Sequence, residues 1–236
     1  MAIDDKELIL ASGELVVTGR LVDASNATLY ATATLNDQSV VCIYKPIAGE
    51  RPLWDFADGC LAHREYAAYL VSEHLGFNLI PLTILRDGPY GFGMVQQWVD
   101  IDESIDLAKF FATDHPQLRS MALLDAIINN TDRKVGHLLP VDDLRLFGCD
   151  HGVTFHEEDK LRTVLWQWAG ETFTEGELLI LENAKSEMAG GLGQKLSPLL
   201  TDVEIAETIR RISELLDSGT FPLPNPDWPA VPWPAF

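Results

Sequence analysis

Cysteine is scarce in this chain. Three occur in 236 residues, and Cys42, Cys60 and Cys149 lie far apart with no Cys-x-x-Cys pair. That excludes a disulfide-built scaffold and a thiolate zinc site, and it fits a reducing compartment. Basic residues are also few, 17 Lys and Arg against 36 Asp and Glu, for a formal charge of −19. They are scattered, with Arg133-Lys134 and Arg210-Arg211 the only adjacent pairs. A chain so acidic is repelled by DNA, RNA and anionic bilayers, so no nucleic-acid partner is expected. Long apolar runs are missing too: none approaches the ~20 residues of a membrane helix, and no transmembrane segment is expected. The opening Met1-Ala-Ile-Asp-Asp-Lys-Glu has no basic stretch leading into an apolar one. A secretory signal is therefore not expected, and a cytoplasmic location is.

What is present describes an ordinary globular protein: 47% apolar and 22% charged residues, enough for one compact domain or two lobes sharing a cleft. The first hundred residues read mostly as strands. Glu14–Val22, Thr28–Leu35 and Ser39–Tyr44 are rich in β-branched residues and separated by Asp/Asn turns, which predicts an antiparallel meander. Leu61, Tyr66, Ala67, Leu70, Val71 and Leu75 recur at helical spacing, with Gly76 as the expected C-cap. Strands are predicted at Leu79–Leu85 and Gly91–Trp98, joined by a turn at Asp87-Gly88-Pro89. Beyond residue 100 the pattern turns helical, over 102–111, 117–129, 175–188 and 203–217. Two short strands, 137–141 and 144–149, interrupt it, and Gly190-Gly191-Leu192-Gly193 reads as a loop or hinge. The proline-rich tail, 221–236, with Trp228 and Trp233, reads as an extended strap packed on the body.

One set of residues, taken in order, suits phosphoryl transfer. That chemistry needs a lysine on the phosphates, an acid to position it, a carboxylate facing the acceptor hydroxyl, and ligands for a divalent cation. Lys45 ends an apolar strand, and Glu65 sits on the helix that follows. An apolar helix then runs into Asn129-Asn130-Thr131-Asp132-Arg133, a polar cluster too dense for a simple cap. Asp132 and His137 are five positions apart, the Asp-to-Asn spacing of a kinase catalytic loop. Asp150 follows an apolar strand and leads into Gly152, where kinases place the main metal-binding aspartate. The plainer alternative is a capped helix followed by a β-hairpin.

The segments Lys45-Pro46, His63–Val71 and Leu75–Thr83 resemble the N-lobe of type II phosphatidylinositol 4-kinases. Asp125–Arg133 is similar to their catalytic loop, and Asp150–Phe155 to their metal-binding segment. The likeness covers about residues 20–170, and it extends to a phosphatidylinositol-kinase-related actinobacterial family. It implies that Lys45 binds phosphate, Glu65 pairs with it, Asp132 is the catalytic acid/base and Asp150 holds magnesium. Two departures stand out: His137 replaces the metal-binding asparagine, as a ligand suiting Mn²⁺ better than Mg²⁺, with a hydrogen bond to Asp132 or a weakened second-metal site as the alternatives, and the expected phosphate-covering loop, Val22–Thr28, contains no glycine.

The expectation is therefore an α+β, two-lobed, protein-kinase-like fold: a sheet-rich N-lobe over 1–99, a helical C-lobe over 100–220, and the strap. The expected activity is ATP-dependent phosphotransfer, with Mg²⁺ or Mn²⁺, to a hydroxyl on a small molecule, protein or lipid headgroup. A pseudokinase, or an enzyme transferring AMP, is the alternative. Candidate catalytic residues are Asp132, Arg133 and Lys134, and candidate metal ligands Asp150 and His137. Candidate nucleotide-binding residues are Lys45, Glu65, Ser25, Asn26 and the interlobe linker Gln96, Gln97 and Trp98.

Overall fold

The computed structural model describes residues 1, 3–21, 26–57 and 59–236. Strands β1 (Glu14–Arg20), β2 (Leu29–Leu35) and β3 (Gln38–Pro46) form the expected meander. Asn36 and Asp37, both at positive φ (48° and 63°), close the β2–β3 hairpin as a two-residue turn whose twist matches the strands. Strands β4 (Thr83–Gly88) and β5 (Gly91–Gln97) complete an antiparallel sheet of order β1-β2-β3-β5-β4. Gly93 is required where β5 meets β3, because a Cβ there would lie 2.3 Å from the Lys45 carbonyl oxygen. The close approach sets the end of β3, and with it the lysine.

Helix α1 (Ile3–Ser12), which the sequence did not announce, buries Ile9 and Leu10 against this sheet. Helix α2 (Leu61–His74) lies beside β4 and β5, and Gly76 (φ +77°) ends it in the left-handed conformation. The expected strand at Leu79–Leu85 begins only at Thr83. Leu79 and Ile80 are buried outside the strand, and Pro81 beside them has no N–H to donate.

The remainder is mainly helical. The helix expected over 102–111 is reduced to α3 (Leu107–Phe110). Asp102 captures the Ser104 N–H, and Asp106 captures that of Ala108, so the aspartates make a turn and a cap instead of a longer helix. Helix α4 (Pro116–Ile128) is buried along most of its length and stops at Asn129, which is left-handed at φ 51°. Strands β6 (Leu138–Pro140) and β7 (Leu146–Gly148) form the short hairpin. Helices α5 (Glu175–Met188) and α7 (Asp202–Ser218) open on Thr-x-x-Glu capping boxes, at Thr174 and Thr201. Between them Gly191–Leu196 is a short helix, α6, not a hinge. Leu192 and Leu196 are fully buried, and that packing outweighs the poor helical propensity of glycine.

One apolar core lies under the sheet and α1; a larger one joins α2, α4, α5, α6 and α7. The tail from Phe221 runs over the body without regular structure. Ala230 accepts hydrogen bonds from Thr163 N (3.0 Å) and the Trp166 indole (2.8 Å), and Ala235 accepts from Val135 N (2.8 Å). No helix among the described residues is long and apolar enough to cross a membrane.

Candidate functional site

Three elements distant in sequence converge on Lys45. Its ammonium lies 2.5 Å from Glu65 Oε1 on α2 and 2.8 Å from Asp150 Oδ1 on the segment after β7. The second Glu65 oxygen accepts the His151 backbone N–H at 3.0 Å, so one carboxylate ties the sheet to the Asp150 segment. Glu65 lies deeper than its place on the helix suggested, 2% exposed. Burial works against the Lys45 charge, but Asp150 and Glu65 outweigh it and lift the ammonium above the ordinary lysine value. Lys45 in turn holds Asp150 well below the usual carboxylate range, against the cost of burial. Burial pushes Glu65 upward, yet an ammonium and a backbone N–H facing its two oxygens favour the ionised form.

Asp150 has φ +59°, a conformation rare outside glycine but tolerated by aspartate. Its side chain remains 46% exposed toward the cleft. His137 Nε2 stands 3.4 Å from Asp150 Oδ2, and the sequence alternative of a His137–Asp132 contact is not realised. Burial drives the imidazole pKa down to about 4, so the ring is neutral at physiological pH.

Asp132 closes the other side of the cleft. Lys134 Nζ is 3.2 Å from one of its oxygens and Arg162 Nη2 3.3 Å from the other. Burial raises the Asp132 pKa against the pull of these cations. The loop that carries Asp132 is held from below. Asn130 accepts the Asp132 N–H at 3.0 Å and donates to Asp125 at 2.9 Å, and Thr131 donates to the Val153 carbonyl. Arg162 carries no motif; only its return to the loop, where its N–H binds the Asn130 carbonyl, brings it to the site.

Arg133, expected among the catalytic residues, does not enter the cleft. It is wholly buried, its guanidinium bound to both oxygens of Asp125, to the Cys149 carbonyl and to His151. The side chain braces the Asp132 loop against the Asp150 segment from inside.

A cavity of about 390 Å³ contains Lys45, Glu65, Asp150 and Asp132 in its lining. Asn26 also lines it, with its side-chain Oδ1 accepting the Arg51 backbone N–H at 2.9 Å. Ser25, and most of the expected phosphate-covering loop, lie outside the described residues. The linker residues do not line this cavity. Gln96 is buried and donates to Thr83 at 2.9 Å, whereas Gln97 and Trp98 border a separate hollow of about 880 Å³ with Tyr69, Phe77 and Phe147. The outer wall was not legible in the sequence: Trp54 and Asp55 from the loop before α2, and Trp228 from the tail.

A cation fits the pair Asp150 and His137. Mg²⁺ and Mn²⁺ need few protein ligands when substrate phosphates and waters complete the shell. The exposed Asp150 carboxylate and the neutral imidazole supply two donors. Among the described residues no group of three or more His, Cys, Asp or Glu side chains is placed to hold a metal alone.

The antiparallel sheet with its lysine, the helix that presents an acid to that lysine, and the helical lobe with two aspartates across a cleft define a protein-kinase-like fold. Solved structures share it. The crystal structure of the Golgi casein kinase with Mn/ADP bound matches with a TM-score of 0.61 at 16% identity, covering 92% of this chain and 75% of that one. A second crystal structure of the Golgi casein kinase matches at 0.57 and 15% identity, with the same coverage. No family model matches the chain. The chain belongs to the same family as Protein Rv2133c of Mycobacterium tuberculosis (strain ATCC 25618 / H37Rv). The two are 42% identical over an alignment of 268 residues that takes in 99% of this chain and 96% of the relative.

Proposed function

We propose that this chain is an ATP-dependent phosphotransferase acting on a hydroxyl group. The observation that carries the reading is the convergence of Lys45, Glu65 and Asp150 across from Asp132 around one cavity. The Golgi casein kinase, similar in fold, has been solved with Mn/ADP bound, which supports a nucleotide and a divalent cation here. The likeness of Asp125–Arg133 and Asp150–Phe155 to phosphatidylinositol kinases supports a place beside that superfamily, with the lipid itself not required.

In this reading Lys45, kept charged and aimed by Glu65, binds phosphate oxygens. Asp132 orients the acceptor hydroxyl and takes its proton, while Lys134 and Arg162 fix both of its oxygens. Asp150 and His137 would hold the cation, which neutralises charge on the phosphates when bound. The terminal phosphoryl group passes to the acceptor oxygen, and ADP leaves.

The experiment is release of ADP from ATP with Mg²⁺ or Mn²⁺, together with binding of Mn²⁺-ADP. Asp132→Asn should lower turnover by about 10³-fold or more while nucleotide still binds. Asp150→Ala should abolish turnover and weaken metal-dependent binding. Unaltered turnover in Asp150→Ala would remove the proposal.

A further inference from the structure

Two tryptophans distant in sequence, Trp54 and Trp228, line the cavity together with Asp132. Lys160 joins them. Its ammonium is 4.9 Å from the ring centre of Trp54 and 5.1 Å from that of Trp228. The same ammonium pairs with Asp55 at 3.3 Å and Glu158 at 2.9 Å, and the residue is only 4% exposed. A lysine desolvated between two indoles and paired with two carboxylates is a strong clasp for loops that share no secondary structure.

We infer that this tryptophan-lined part of the cavity is a subsite for a small polyhydroxylated molecule free in solution, of the sugar type. The inference rests on the phosphotransfer reading above and names the acceptor class for it. The strap takes the Val135 N–H beside the Asp132 loop and the Thr163 N–H in the segment following Asp150. An extended protein acceptor finds those backbone donors occupied. A bilayer-bound headgroup meets a chain of charge −19, which anionic membranes repel. The volume, about 390 Å³ and shared with phosphate, is that of a small-molecule site.

The lining suits a sugar. An indole offers an apolar face to ring C–H groups, while Asp132, Asp55 and Arg162 offer acceptors and donors to hydroxyls. In the transfer step one sugar oxygen bonds to the terminal phosphorus of ATP. The bond from that phosphorus to the ADP oxygen breaks, ADP leaves with its electron pair, and the hydroxyl proton passes to Asp132.

The full-length protein is incubated with ATP labelled in the terminal phosphate and, separately, free hexoses, hexosamines and pentoses, vesicles containing phosphatidylinositol, and casein. Label is expected in a free-sugar fraction. Trp228→Ala is expected to raise KM for that sugar tenfold or more while KM for ATP stays within twofold. Trp54→Ala, at a residue 83% exposed, is expected to raise it about threefold or more. Sugar binding is read independently of turnover by the change in intrinsic tryptophan fluorescence, lost in Trp228→Ala. Label confined to casein or vesicles overturns the inference, as does a KM for sugar that neither variant moves. So does the absence of both sugar label and fluorescence change in a protein that binds Mn²⁺-ADP. Failure of Mn²⁺-ADP to bind removes the phosphotransfer reading instead, and the fluorescence titration still decides whether the sugar subsite exists.

Discussion

The guanidinium of Arg133 holds both carboxylate oxygens of Asp125, Nε to Oδ2 and Nη2 to Oδ1, each at 2.9 Å, and neither side chain reaches solvent. This buried fork links the end of α4 to the loop that bears Asp132. Removing one partner strands a charge in the interior. Arg133→Ala should therefore destabilise by about 3–5 kcal/mol, read as a fall in the denaturant midpoint. Arg133→Lys, which cannot make the fork, should recover only part of it. A wild-type midpoint in Arg133→Ala would show that the pair does not carry the loop.

The environment of Asp132 makes a pH prediction with a definite sign. Burial raises its pKa, and Lys134 and Arg162 pull it back down. In the proposed reaction the carboxylate is the working form, so activity should fall as acid protonates it, with the limb above the ordinary aspartate value. Lys134→Met removes one favourable cation and should move that limb to higher pH. A shift to lower pH, or none, in the rate profile of Lys134→Met contradicts the assignment.

His137 should set metal preference. An imidazole suits Mn²⁺ better than an amide oxygen does, so His137→Asn should lower the ratio of Mn²⁺-supported to Mg²⁺-supported turnover. His137→Ala should weaken apparent metal affinity by about 10–100-fold. Equal ratios in wild type and His137→Asn would place the imidazole outside the metal shell.

Glu50 caps α2 from a distance, accepting the N–H groups of Leu61 (3.1 Å) and Ala62 (2.8 Å). Glu50→Ala should cost about 1 kcal/mol, as lost caps do, and lower Tm by roughly 2–4 °C for a chain of this size. Because α2 carries Glu65, the rate should fall as well. Calorimetry showing an unchanged Tm would refute the cap.

Lys45, Glu65, Asp132 and Asp150, which line one cavity, stood out in the sequence because each sits where a local pattern breaks: a strand end, a helical stripe, a polar cluster after an apolar helix, an acid before a glycine turn. The meander and the helices at 61–74, 175–188 and 202–218 were legible for the same reason, since hydrophobic period and capping residues are written in neighbouring positions. Arg133 was misplaced because adjacency to Asp132 says nothing about direction. Successive residues of the loop face opposite ways, one into the cleft and one into the core.

The residue order alone determined a sheet followed by helices, an acidic surface, and the acids and lysine suited to phosphate chemistry. Tertiary structure alone decided that Arg162 reaches Asp132, that Trp54 and Trp228 flank Lys160, and that Gln96–Trp98 face away from the Lys45 cavity. Contacts spanning 30 to 106 positions leave no periodic trace in the chain. They arise from which surfaces the two apolar cores bring together, and a core's packing is specified by the whole sequence at once, not by any segment of it.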